Sequence, residues 1–219
     1  MHVTIKNLIN IEKQIKSSLI SSNIDILPKV IAVSKTFPIE NILPLIDYGH
    51  RDFGENKVQE ALDKWSDIKK NKPDLKIHLI GKLQTNKVKF AVKLFDFIHS
   101  VDTIKLANKI AVEQDKIKKN INIFIQVNIG NENQKSGVDK DELEKLVVFC
   151  KEINLTVLGL MCIPPANEDP NKYFEEMRQL NKSFGFNELS MGMSSDYLTA
   201  IKYSASYVRI GSNIFGSRD

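Results

Sequence analysis

Eight short apolar runs alternate with helical patterns along the 219 residues, and this alternation restricts the fold more than any other feature. A helix over residues 4–22 comes first, with Ile5, Leu8, Ile11, Ile15 and Leu19 at helical spacing. The strands expected after it are 31–34, 51–55, 76–80, 96–100, 122–128, 156–161, 188–190 and 207–210. Between them the pattern predicts helices over 39–48, from Asn56 onward, over about 85–94, after a cap at Asp102 or Thr103, and over 139–153, 173–184 and 196–203. Such a rhythm implies an α/β fold, a single (β/α)₈ TIM barrel with an extra N-terminal helix, and one domain over residues 1–219. An open doubly wound sheet is the competitor, but no GxGxxG or GxxxxGK[ST] loop follows the first strand.

With 42% hydrophobic and 26% charged residues, the chain can bury a sizeable core. Its apolar runs fall far short of a membrane span, and residues 1–7 lack the layout of a secretory signal. Cys150 and Cys162 stand in neither a CxxC nor a zinc spacing, so no metal site is expected. Reduced thiols and a cytoplasmic location fit them better than a disulfide. The formal net charge of +4 comes without a basic run interleaved with aromatics. Nucleic acid is therefore not the expected partner, whereas an anionic small ligand suits the charge.

In a (β/α)₈ barrel the ligand-binding face is built from the loops after the strands. Lys35 closes the run Val30-Ile31-Ala32-Val33-Ser34-Lys35 and is followed by Thr36-Phe37-Pro38. An ammonium at the end of a buried strand is costly to desolvate. It suits an amine that forms a Schiff base with an aldehyde, or one whose head snorkels into solvent. The other strand ends carry Gly54-Glu55-Asn56, Gly81-Lys82-Leu83-Gln84 with Asn86, Ser100-Val101-Asp102, Asn128 with Gln134-Lys135-Ser136-Gly137, and Met161 with Pro164. After the seventh strand comes Met191-Gly192-Met193-Ser194-Ser195, and after the eighth Gly211-Ser212-Asn213. Glycines and hydroxyls in these last two loops suit a phosphate, although ordinary caps and turns use the same residues. Arg209 ends an apolar strand, where a guanidinium needs a partner. A pyridine nitrogen would satisfy it and stay unprotonated, as in some pyridoxal phosphate (PLP) sites; a nearby carboxylate is the alternative.

Taken together, these segments resemble the PLP homeostasis proteins, a family of PLP-binding barrels related to the N-terminal domain of alanine racemase. The resemblance rests on Ala32-Val33-Ser34-Lys35-Thr36, on Phe53-Gly54-Glu55-Asn56-Lys57-Val58-Gln59-Glu60, and on His78 to Lys87. It continues through Ser100-Val101-Asp102, Gln134 to Gly137, Gly159-Leu160-Met161 with Ile163-Pro164-Pro165, Leu189 to Ser194 with Asp196, and Val208-Arg209-Ile210-Gly211 with Ile214-Phe215-Gly216. The resemblance implies that Lys35 holds PLP as a Schiff base and that Arg209 faces the pyridine nitrogen. It further implies that Ser194, Gly211 and Ser212 hold the phosphate and that Asn56 lies beside the ring. Two positions depart from the family pattern: Ser212 replaces a usual Thr, and Ser204 a common Gly. If that Gly served a positive φ, the turn before the last strand is expected to differ.

A racemase needs an acid/base group on each face of its substrate. Alanine racemases complete their site with a second domain and a partner subunit, for which the residues up to Asp219 leave no room. None of Tyr48, Tyr173, Tyr197, Tyr203 and Tyr207 stands out as the opposite-face base, so no catalytic residue is nominated. The resemblance thus implies a monomeric PLP carrier or regulator that releases the cofactor to PLP-dependent apoenzymes. A racemase-type PLP enzyme and a PLP-free Schiff-base aldolase are the alternatives.

Overall fold

The computed structural model describes residues 1–22, 24–132 and 136–216. Helix α1 (Val3–Ser22) leads into β1 (Lys29–Val33), α2 (Ile39–Tyr48), β2 (Asp52–Glu55), α3 (Val58–Asn71) and β3 (Lys76–Leu79). A 3₁₀ turn (Thr85–Lys87) then runs into α4 (Val88–Leu94), followed by β4 (Phe97–Val101), α5 (Ile104–Lys116), β5 (Asn122–Gln126) and α6 (Lys140–Glu152). The chain continues through β6 (Thr156–Met161), α7 (Pro170–Ser183), β7 (Glu188–Met193), α8 (Tyr197–Lys202), β8 (Tyr207–Ile210) and α9 (Ser212–Phe215). All neighbouring strands are parallel, and the sheet closes through the pairing of β8 with β1. This is the (β/α)₈ barrel expected from the alternation, with α1 as the additional N-terminal helix.

Strand residues divide between two faces because successive side chains point to opposite sides. Ala32, Phe53, Ile77, Ile98, Ile123, Leu160, Val208 and Ile210 pack outward into the core shared with the helices. Ile31, Phe97, Phe124, Met161 and Tyr207 form a separate buried cluster that fills the barrel. Each such side chain contributes about 1.5–3 kcal/mol when fully buried. Polar residues share this interior: His78, His99, Ser190 and Arg209 are all buried. Helix α1 buries Leu8, Ile11, Ile15 and Leu19 and packs on α2, α8 and α9. Asn7 donates to the Ile214 carbonyl at 2.9 Å, and Tyr197 bonds Gln14, so α1 is tied to the end of the barrel.

Several element boundaries differ from the sequence expectation, for local reasons. Strand β1 runs from Lys29 to Val33 rather than over 31–34, and Lys35, after the strand as expected, sits half-buried in a turn. Helix α3 begins at Val58 instead of Asn56, which leaves Asn56 in the loop. Helix α7 starts earlier, at Pro170, where the missing N–H costs nothing and the Asp169 side chain accepts from the Asn171 N–H. Thr103, not Asp102, caps α5. Strand β7 runs on through Met193; Gly192 permits this at φ +90°, and a Cβ there would lie 2.6 Å from the Cβ of Ala200 in α8. Ser204 adopts φ +64°, so the turn keeps a left-handed residue without glycine. Among the described residues, no helix is long and apolar enough to cross a membrane.

Candidate functional site

A cleft of about 520 Å³ opens where the strands end, and it gathers every residue nominated from the sequence. Lys35, Asn56, Ser194, Arg209, Gly211 and Ser212 all line it. Val33, Ile80, Ile163 and Met193 supply apolar walls, and Ser195 completes the rim. An adjoining lobe of about 290 Å³ shares Asn56, Ile80 and Ile163 and adds Lys82, Gln126, Asn128 and Ser136. Asp102, by contrast, lines a different crevice with Lys105 and Gly137. Gln134 and Lys135 lie outside the described residues. Among the described residues, no cluster of three or more His, Cys, Asp or Glu could hold a metal ion.

Helix α3 holds the backbone on both sides of Lys35. The Ser34 carbonyl accepts from Lys64 Nζ at 2.9 Å. The Ser34 hydroxyl donates to Glu55 Oε1 at 2.7 Å, and that oxygen also accepts from Lys64 and from the Trp65 indole N–H at 3.0 and 2.9 Å. On the other side, the Thr36 N–H donates to Glu60 Oε1 at 2.6 Å. Partial burial opposes ionisation of Glu60, yet the Thr36 N–H and Lys64 hold its carboxyl below the usual range. Thr36 has φ +68°, an uncommon conformation for a β-branched residue that these contacts maintain. Phe37 then stacks on Phe215 with ring centroids 4.9 Å apart.

The opposite rim comes from the loops after β7 and β8, which are laced together. Ser194 Oγ accepts from the Gly211 N–H at 3.2 Å, and the Asn213 amide donates to the Ser194 carbonyl at 2.9 Å. The Met193 N–H donates to Asp196 Oδ1 at 2.6 Å. Asn56 is brought to the cleft by close packing of the loops after β2 and β3: a Cβ on Gly81 would lie 2.4 Å from the Asn56 carbonyl oxygen.

Arg209 forms the floor and is only 4% exposed. Its Nη1 donates to Ser190 Oγ at 2.7 Å and its Nη2 to the Cys162 carbonyl at 2.9 Å. Among the described residues it forms no ion pair with a carboxylate, so that alternative for its partner is not realised. Burial pulls its pKa down and pushes the neighbouring Cys162 thiol up to about 12. Sequence reasoning missed Ser190 and the anchors Glu60 and Lys64. Glu60 stands in a segment that carries the resemblance, but its tie to Lys64 shows in the sequence only as an (i, i+4) pair on a helix, a pattern shared with many solvated surfaces.

Fold and cleft together define the class: a (β/α)₈ barrel with a lysine and an arginine converging on a small-ligand site at its strand ends. The family model described as "Alanine racemase, N-terminal domain" matches residues 13–219. The chain belongs to this family, among its pyridoxal phosphate homeostasis proteins. It is 41% identical to the pyridoxal phosphate homeostasis protein of Aquifex aeolicus over 202 residues, or 87% of each chain. The similar protein of Escherichia coli K12 is 38% identical over 200 residues, 87% of this chain and 86% of that one. The structure of PipY from Synechococcus elongatus with PLP bound superposes with a TM-score of 0.76 at 34% identity, covering 92% of this chain and 100% of PipY.

Proposed function

We propose that this protein binds PLP and maintains the intracellular PLP balance, holding the cofactor on Lys35 and releasing it to PLP-dependent apoenzymes without efficient turnover. The observation that carries this reading is the convergence of Lys35, Arg209 and the two laced loops on one cleft. The donor set fits the cofactor. PLP supplies an aldehyde that condenses reversibly with a primary amine, which Lys35 provides. Hydroxyls and backbone N–H groups at Ser194, Gly211 and Ser212 suit the phosphate. The guanidinium of Arg209 suits the pyridine nitrogen, the Asn56 amide would suit a place beside the ring, and Ile80, Ile163 and Met193 suit its faces. A permanently charged donor at that nitrogen leaves it unprotonated, which weakens the ring as an electron sink.

Carriage rather than racemisation is supported by the lining itself. Stereoinversion needs a proton donor and acceptor on opposite faces. Among the described residues that line the cleft, the titratable side chains are Lys35 and Arg209, and the lining includes no pair of acid/base groups placed on opposite walls such as His, Tyr, Asp or Glu would supply. The protein works as a single-domain cytoplasmic monomer in this reading.

The test is an absorbance spectrum of purified protein with added PLP, for wild type and Lys35→Ala, followed by borohydride reduction and peptide mapping. A visible band in wild type alone, with the reduced adduct on Lys35, is the expected result. No band and no adduct would sink the PLP reading and leave a Schiff-base aldolase in its place. Stereoinversion of an amino acid that disappears in Lys35→Ala would replace the carrier with a racemase.

A further inference from the structure

The floor of the cleft is joined to the opposite mouth of the barrel by side chains alone. Ser190 Oγ lies 2.7 Å from Arg209 Nη1 and 2.9 Å from His99 Nδ1. His99 Nε2 lies 3.0 Å from His78 Nδ1, and His78 Nε2 lies 3.0 Å from Asp52 Oδ1. Arg209 is near the C-terminal end of β8 and Asp52 opens β2, so the chain of contacts runs the length of the barrel interior. Its intermediate members, Ser190, His99 and His78, are fully buried. Asp52 lines a cavity of about 300 Å³ at the far mouth with Glu12, Lys16, Lys29 and His50.

Elementary donor and acceptor chemistry gives this chain one direction. An ionised carboxylate only accepts, so His78 presents Nε2–H to Asp52 and keeps Nδ1 as an acceptor. His99 must then donate from Nε2, which leaves its Nδ1 to accept from the Ser190 hydroxyl. Ser190, having donated to His99, offers lone pairs to Arg209, which can only donate. Every bond is satisfied with both imidazoles neutral, a positive charge at one end and a negative charge at the other. Burial, which disfavours charged imidazole, agrees with this assignment: it lowers the pKa of both rings. The rings cannot easily turn. His78 stacks on Phe97 with centroids 4.3 Å apart, and His99 stacks on Phe124 at 4.4 Å.

We infer that Ser190, His99, His78 and Asp52 are positioning residues for Arg209: a one-way hydrogen-bonded relay through which the carboxylate at the far mouth fixes the donor geometry of the guanidinium at the floor of the cleft. The part of this inference that concerns the cofactor rests on the PLP reading above. Neutral fillers would pack the barrel equally well, but only an acceptor-terminated chain orders the Ser190 hydroxyl. Asp52 thereby influences the pyridine-nitrogen site without touching the cleft.

The test has two arms. In protein without PLP, ¹⁵N-histidine NMR at pH 7.5 is expected to show His78 and His99 as Nε2–H tautomers with unprotonated Nδ1. A protonated Nδ1 on His99 overturns the relay. In PLP-loaded protein, Asp52→Asn removes the charge while keeping the shape. It is expected to leave borohydride capture on Lys35 at saturation unchanged, to displace the absorbance band, and to speed PLP release by roughly threefold to tenfold, the effect of up to about one pKa unit of coupling. An unchanged band and release rate overturn the coupling to the cofactor. If Asp52→Asn does not fold, Asp52→Ser, which also removes the charge at the far mouth and leaves Ser190 and Arg209 intact, serves in the same assays with the same expected and contrary results. Failure of wild type to capture PLP at all refutes the function proposed above, and the ring assignments still decide the relay.

Discussion

The ammonium of Lys64 donates to the carbonyl oxygen of Ser34 at 2.9 Å, and so fixes the backbone one residue before Lys35. The same ammonium pairs with Glu55, whose side chain is fully buried. Among the described residues Glu55 Oε2 has no hydrogen-bond partner, so Oε1 and its neighbours carry the whole solvation of that carboxylate. Helix α3 therefore reaches under the turn after β1 and sets where the Lys35 amine begins.

Replacing Lys64 with Met keeps most of the side-chain volume and strands the Glu55 charge. Breaking one partner of a buried pair costs about 3–5 kcal/mol. For a chain of this size each kcal/mol lowers Tm by about 2–4 °C, so a fall of roughly 6–20 °C is expected. Borohydride trapping of PLP on Lys35 should also slow, because the Ser34 carbonyl is released. Thermal unfolding and trapping rates check both; a variant that melts with wild type would remove Lys64 from its anchoring role.

Ser204 is held at φ +64°, where a side chain costs roughly 1–2 kcal/mol relative to glycine. Ser204→Gly relieves that strain but frees the unfolded chain by about 0.4–1 kcal/mol. The net expectation is a stabilisation of between about 0 and about 1.6 kcal/mol, seen as a higher urea midpoint with an unchanged slope. A lower midpoint would mean that the Ser204 side chain contributes more than its backbone strain costs.

Cys150 and Cys162 are both buried and free. Burial pushes each thiol up to about 12, far from the thiolate form that reacts. Native protein at pH 8 should thus resist iodoacetamide at both positions, and both should label once it is unfolded in urea. Rapid labelling of Cys162 in native protein would show that its strand end opens beside Arg209.

The barrel, Lys35, Arg209 and the loops after the last two strands were legible because each depends on local pattern, whereas Asn56 was singled out for the cleft only through the family resemblance. Apolar runs at regular intervals fix the strands, and glycines and hydroxyls at their ends mark the binding face. The end of β1 at Val33, before Ser34, was not legible. The run Val30 to Ser34 stays apolar or small past the point where β1 ends, and only Thr36 at φ +68°, held by Glu60, shows the chain turning. The interior relay was hidden for a different reason. His78 and His99 stand in the runs Lys76-Ile77-His78-Leu79 and Phe97-Ile98-His99-Ser100, where alternation alone would allow either to face solvent. Barrel closure turns both inward toward Ser190 on β7, which lies 91 positions along the chain from His99. No short-range sequence signal carries that pairing.

The same two histidines make stability depend on pH in a definite direction. Both side chains are fully buried, and burial holds both pKa values below 6.5, that of His99 well below. For His78 the Asp52 carboxylate opposes this shift without reversing it. In the unfolded chain each ring titrates near the ordinary value of about 6.5. Below that pH the unfolded state binds protons that the folded state does not, so stability rises with pH there. The contribution is complete above pH 6.5 and is lost as pH falls through it toward the folded values. At pH 5.5 His99 should cost up to about 1.4 kcal/mol relative to pH 7.5, the limit set by its unfolded titration, with a smaller loss from His78. Urea unfolding at pH 7.5, 6.5 and 5.5 should show a midpoint that falls across the last interval. Equal midpoints at pH 7.5 and 5.5 would place protons on both rings inside the folded barrel, where the path from Ser190 to Asp52 has no room for them.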